Sequence, residues 1–150
     1  MKQTNYQELI QNIEALIEGI PYPIANYANV SAAIWNAMDA INWVGFYLLE
    51  NNTLILGPFQ GNPACVMIPA GKGVCGTAVN EMRTLIVPDV HEFPGHIACD
   101  AASRSEIVIP MIKDGKIFGV LDIDSPITDR FNENDRINLE NIVSILIQNS

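Results

Sequence analysis

Residues 105–125 read SEIVIPMIKDGKIFGVLDIDS, two apolar runs of strand-forming residues folded about Asp114-Gly115. Asp-Gly between such runs is a strong hairpin signal. The second run carries Asp122 and Asp124, two apart and therefore on one face, while Leu121 and Ile123 point to the other. Upstream, INWVGFYLLE (41–50) and TLILGPF (53–59) flank Asn51-Asn52 and predict another hairpin. ACVMIP (64–69) reads as a third strand and LIVPDV (85–90) as a short one broken by Pro88. GKGVCGTAVNEM (71–82) reads as a short helix whose first turn carries Cys75. Between Asp89 and Asp100 lies a polar stretch holding His91, His96 and Cys99. Loops that long in compact domains are usually functional or disordered, and here Phe93, Ile97 and Ala98 offer packing that opposes disorder.

Helical patterns bound this tract. Thr4 is the expected N-cap of a first helix with an apolar stripe of Leu9, Ile10, Ile13, Leu16 and Ile17, ended by Gly19 and Pro21. Tyr27, Val30, Ile34 and Met38 repeat at helical spacing in a second, with Trp35 beside the stripe. A last helix runs from Asn132 to Gln148, capped by Asn132, with Glu133 and Asp135 at its positive end and Leu139, Ile142, Val143 and Leu146 facing inward. Strands in the middle and helices at both ends predict an α+β domain: an antiparallel β-sheet meander flanked by N- and C-terminal helices.

Composition narrows the function. The 150 residues are 49% hydrophobic and 17% charged, which suits one ordinary folded domain spanning residues 1–150. Eight Lys and Arg against 17 Asp and Glu leave a net charge of -9. Phosphate binding needs clustered cations, so nucleic acid and anionic membranes are disfavoured partners. The first 20 residues are polar, are interrupted by Glu8, Glu14 and Glu18, and do not read as a signal peptide, so a cytoplasmic location is expected. Thiols are kept reduced there. Three cysteines without a C-x-x-C and only two histidines give no ordinary spacing for a structural zinc site. The sequence calls for no cofactor.

One set of segments carries the chemistry. NWVGFY, GPFQGNPACV, IPAGKGVCGTA, DVHEFPGHIACDAASRSEIVIP and GVLDIDS together closely resemble the free methionine-(R)-sulfoxide reductases, enzymes built on a GAF domain. The resemblance covers about two thirds of the chain, and all three cysteines fall at the family's positions. It implies a single GAF-like domain that reduces free L-methionine (R)-sulfoxide to methionine and is restored by thioredoxin. It also implies Cys99 as the nucleophile. Cys65 and Cys75 are both candidate resolving thiols; Cys65, on a strand entering the site, is the favoured one, but pairing depends on separations that sequence does not fix. His96 is a candidate for lowering the Cys99 pKa or supplying a proton.

The substrate's ammonium wants anionic acceptors, and Glu106, Asp122 and Asp124 supply three carboxylates at the sheet's edge. Trp43 and Tyr47, four apart in one strand, are expected to wall the methylsulfinyl end. The run Ala101-Ala102-Ser103, with Arg104 and Ser105 behind it, is where donors to the substrate carboxylate are expected. A two-residue loop at Asp114-Gly115 would pair Lys113 with Lys116 and set Glu106 opposite Ile123, on the wrong face. A three-residue loop with Gly115 left-handed would pair Ile112 with Lys116 and set Glu106 opposite Asp122. An ammonium site requires convergence, so the bulged loop is predicted unless an irregularity near Pro110 resets the phase. Two rival readings remain: a non-catalytic GAF ligand-sensing module, for which these residues leave no output domain, and a thiol redox sensor, which has no use for an ammonium site. Oligomeric state is not encoded legibly, and a homodimer is compatible with the sequence.

Overall fold

The computed structural model of the chain describes residues 1–97, 99 and 101–149. The expected packing of Ala98, and Asp100 beside the loop thiol, lie outside them. Helices α1 (Tyr6–Ile17) and α2 (Pro23–Ala37) precede strands β1 (Trp43–Glu50), β2 (Thr53–Gly61) and β3 (Met67–Pro69). Then follow α3 (Gly73–Glu81), β4 (Leu85–Val87), β5 (Ser105–Lys113), β6 (Lys116–Ser125) and α4 (Glu133–Gln148). The strands form one antiparallel sheet in the order β3-β2-β1-β6-β5-β4. This is the expected α+β architecture.

Each sheet face has its own core. On one face Val44, Phe46, Ile107, Ile109, Leu121 and Ile123 pack against the apolar stripes of α1, α2 and α4. On the other, Trp43, Tyr47, Val108 and Val120 pack against Val74, Cys75, Ala78 and Val79 of α3. Phe93 and Ile97 of the long loop join this second cluster, so the loop is packed down as its apolar residues predict. A single 3₁₀ turn, Val90–Glu92, is its only regular piece among the described residues.

Local expectations hold in most places. Asn132 caps α4 in a full capping box with Asp135. Asn51 and Asn52 have φ of 49° and 62°, the left-handed pair of a type I′ turn, and Glu50 pairs with Thr53. In α1 the N-cap is Asn5 and not Thr4: the Asn5 side chain accepts from the Glu8 N–H at 3.1 Å. The buried stripe Tyr6, Leu9, Ile13 and Ile17 sets where the helix begins; Leu16, 44% exposed, lies outside it. Trp35 stays at the edge of the α2 stripe and is exposed. The third strand is shorter than expected, because the chain leaves the ladder before Met67, where Cys65 turns towards Cys99.

The β5–β6 hairpin differs from the predicted one. Asp114 (φ 53°) and Gly115 (φ 76°) form a two-residue turn, and Lys113 does pair with Lys116. The phase is then reset between Met111 and Ile112: Ile112 pairs with Ile117, but Met111 pairs with Gly119, leaving Phe118 as an extra residue. Glu106 therefore sits opposite Asp124 and not Asp122. The irregularity beside Pro110 does what the predicted loop bulge was expected to do, and the three acids share a face.

A buried polar network staples the termini together. Arg130 reaches Asp135 at 3.6 Å and donates from Nε to the Asp39 carbonyl at 2.9 Å. Asp135 also accepts from the Tyr6 hydroxyl at 2.5 Å. Burial, with Asp135 next, raises the Tyr6 pKa, so its proton stays in this bond. Among the described residues no helix is long and apolar enough to cross a membrane.

Candidate active site

The sheet face covered by α3 and the long loop carries a small cavity of about 50 Å³. Seven of the eight residues singled out from the sequence line it, namely Trp43, Tyr47, Cys75, Cys99, Glu106, Asp122 and Asp124; the eighth, Cys65, is not a lining residue but is bonded to Cys99. Ladder register explains the convergence. Trp43 pairs with Asp124, and Asp124 with Glu106; Gly45 pairs with Asp122 in the next row on that face. Three strands thus deliver an indole and three carboxyls to one patch of sheet.

The thiols divide unequally. Cys65 and Cys99 are joined as a disulfide across a Cα separation of 5.4 Å, well within bridging distance. Cys75 is free and buried on α3, and its thiol donates to Glu106 Oε2 at 3.9 Å. Burial, reinforced by Asp122 and Glu106, pushes the Cys75 thiol well above its ordinary pKa. It is held as a neutral thiol, whereas Cys65 and Cys99 are only half-buried.

The carboxyls are equally confined. Glu106 is 8% and Asp122 5% exposed. Burial first, then the charges of Asp122 and Asp124, raises the Glu106 pKa well above the usual carboxyl range. Burial raises that of Asp122, against hydrogen bonds from Glu106, Asp124 and Cys75 that lower it. Asp122 Oδ1 is buried without a hydrogen-bond partner. An acceptor oxygen left unpaired inside a protein costs about 1–3 kcal/mol, so this cavity is incomplete without a donor.

The aromatic wall is rigid. Trp43 stacks between Tyr47 (centroids 5.8 Å apart) and Phe59 (5.2 Å), and its Nε1–H donates to the Asn62 carbonyl at 3.1 Å. The Tyr47 hydroxyl donates to the Cys65 carbonyl at 2.8 Å, which ties the cysteine segment to the wall. Burial, with Asp122 next, raises the Tyr47 pKa, so this donor is permanent.

Other residues complete the lining. Ser103 is buried at the cavity and accepts from Asn42 Nδ2 at 3.3 Å. Arg104 and Ser105 are not among the lining residues: Ser105 faces the opposite core, donating to the Ile127 carbonyl. His96 lines the cavity; burial, then His91, lowers its pKa, so it is neutral near pH 7 and supplies no cation to Cys99. Pro63, Ala64, Ile97 and Gly73 are lining residues that the sequence did not single out. Gly73 carried a legible signal: it adopts φ 62°, and a Cβ there would come within 3.3 Å of Ile97, so glycine lets the loop seat on the start of α3.

Fold and site together define an α+β domain that confines two redox-linked cysteines beside a buried acid cluster. Residues 15–147 match the GAF domain family. The free methionine-R-sulfoxide reductase of Escherichia coli is 51% identical over 141 residues, covering 94% of this chain and 86% of that protein. The structure of fRMsr of Staphylococcus aureus in complex with substrate superposes with a TM-score of 0.95 at 60% identity, covering 99% of this chain and 97% of that one. The free methionine-R-sulfoxide reductase of Neisseria meningitidis, also solved with its substrate, gives a TM-score of 0.93 at 42% identity, over 96% and 87% of the two chains. The chain belongs to the free methionine-R-sulfoxide reductases, oxidoreductases built on a GAF domain.

Proposed function

We propose that this protein reduces free L-methionine (R)-sulfoxide to methionine, with Cys99 as nucleophile and Cys65 as resolving thiol. The observation that carries the reading is the disulfide that joins Cys65 to Cys99, a half-buried lining residue of an acid-lined cavity. The Cys99 sulfur attacks the sulfoxide sulfur, the oxygen passes to Cys99 as sulfenic acid, and methionine leaves. Cys65 then displaces water from the sulfenic acid and closes the disulfide. A dithiol reductant of the thioredoxin class reopens it, which suits a reducing cytoplasm.

Recognition follows from charge. The substrate ammonium sits among Glu106, Asp122 and Asp124, donating to the unpaired Asp122 Oδ1. Carboxyls with raised pKa values keep a proton in the same cavity as Cys99, and the sulfoxide oxygen needs one as its bond to the methionine sulfur breaks. Trp43 and Tyr47 enclose the methylsulfinyl end. Ser103, from the run expected to meet the substrate carboxylate, is its member at the cavity. A peptide-bonded methionine sulfoxide lacks the ammonium, so free substrate is preferred. Cys75 has no partner thiol in this arrangement and serves instead as a donor to Glu106.

The test is methionine release from racemic free sulfoxide with a thioredoxin system. Half of the racemate should be consumed, and chiral analysis should show only the R epimer lost. No methionine refutes the reading and favours a sensing module; equal loss of both epimers refutes its stereospecificity.

A further inference from the structure

The cavity holds a donor set that an ammonium ion alone does not explain. Cys75 Sγ and one carboxyl oxygen each from Glu106 and Asp122 lie within 4.8 Å of one another, all buried. They come from three different elements, α3, β5 and β6, so the grouping is tertiary and not an accident of sequence neighbours. Asp122 Oδ1 is aimed into the cavity without a partner. A thiol is a poor ligand for ammonium but a strong one for a borderline metal ion.

Donor–metal bonds of about 2.0–2.3 Å in a tetrahedral shell put ligand atoms roughly 3.3–3.8 Å apart. The 3.9 Å between Cys75 Sγ and Glu106 Oε2 already lies close to that range. Sulfur with two carboxylates suits zinc, cobalt or cadmium; magnesium and calcium take all-oxygen shells. Three protein donors are the usual complement of a zinc site whose fourth ligand is water.

We propose that Cys75, Glu106 and Asp122 form a binding site for a thiophilic divalent cation, zinc foremost, that shuts the substrate ammonium out. Binding replaces the Cys75 S–H bond by a metal–sulfur bond, the proton goes to solvent, and no electron moves. Exclusion of substrate rests on the function proposed above; occupation of the site does not.

The oxidised protein isolates the question, since the Cys65–Cys99 disulfide leaves Cys75 as the one free thiol of a three-cysteine chain. Cobalt(II) is titrated into the full-length oxidised protein and the absorption spectrum recorded without substrate. A near-ultraviolet sulfur-to-cobalt charge-transfer band should appear, be bleached by zinc, and be absent from Cys75→Ser. Asp122→Asn should keep the fold but weaken cobalt binding at least 10-fold. No band in the wild type overturns the proposal, as does an equal band in Cys75→Ser or undiminished affinity in Asp122→Asn. Because no substrate is present, these outcomes are independent of whether the protein reduces the sulfoxide.

Discussion

Glu106 stands directly opposite Asp124 across β5 and β6, and the extra residue Phe118 is what puts it there. A hairpin continuing in phase from Lys113 and Lys116 would turn the Glu106 carboxyl into the Ile107 and Ile123 core, where nothing could ionise or solvate it. With the bulge, three acids share one face, two of them buried, and the cost appears as Glu106 and Asp122 carboxyls that hold their protons.

That cost makes stability pH-dependent with a definite sign. Between its ordinary value of 4.5 and its raised folded value, Glu106 keeps a proton in the folded state that the unfolded chain has lost. Asp122 does the same from 3.8 upward. Unfolding releases these protons, so stability falls as pH rises through the window. Glu106→Gln should be more stable than wild type at pH 8 by about 1–3 kcal/mol, the scale of relieving a buried unsatisfied group, and the gap should close towards pH 4. Urea unfolding at the two pH values checks it; a glutamine variant less stable at pH 8 contradicts the account.

The cysteine assignments separate kinetically. Cys99→Ser should lose turnover entirely and form no sulfenic acid, because a neutral hydroxyl does not replace a thiolate at sulfur. Cys65→Ser should release about one methionine per enzyme in a single turnover and then stall with thioredoxin, its sulfenic acid trappable by dimedone. Normal recycling in Cys65→Ser would return the resolving role to Cys75.

Much of this was legible in local sequence because local physics decides it. Asn132 with Asp135 makes a capping box within one turn, and Asn51-Asn52 satisfies a two-residue turn by itself. The acid pair Asp122 and Asp124 shares a face by strand periodicity alone. What sequence left open depends on partners far along the chain. The Phe118 bulge is set by which residues of β5 and β1 pack on β6, and both strands are apolar at either phase. That Cys65 and not Cys75 is bonded to Cys99 is a matter of a 5.4 Å Cα separation across 34 residues. The α1 start at Asn5, not Thr4, follows from Tyr6 having to reach Asp135, 129 residues away.

That Tyr6–Asp135–Arg130 network is a prediction about stability apart from the site. Both charged side chains are about 95% buried, 5% and 6% exposed respectively. Arg130→Leu removes the cation and the bond to the Asp39 carbonyl, stranding a carboxylate. Losing one partner of a buried pair costs about 3–5 kcal/mol; because Tyr6 and the Asn132 N–H still donate to Asp135, the loss should fall near 3 kcal/mol. Denaturant melts give the value directly. A change below about 1 kcal/mol would mean that water already reaches the pair.

Selectivity is the sharpest consequence of the acid trio. Free substrate brings an ammonium with three N–H donors to the half-buried Asp124 and to Glu106 and Asp122, which have almost no water. N-acetylation removes the charge and leaves one N–H, so the unpaired Asp122 Oδ1 and its neighbours remain unsatisfied in the complex. Each charge-assisted bond is worth about 1.5–3 kcal/mol, and a site built to bond a polar group rejects the analogue that lacks it by more than the bond itself. Losing two such bonds corresponds to at least about 100-fold in kcat/KM. N-acetyl-methionine (R)-sulfoxide should therefore be reduced at least 100-fold less efficiently than the free amino acid. Asp122→Asn should narrow that ratio by slowing the free substrate while sparing the acetylated one. Comparable kcat/KM for the two substrates in the wild type would place the ammonium outside this cavity.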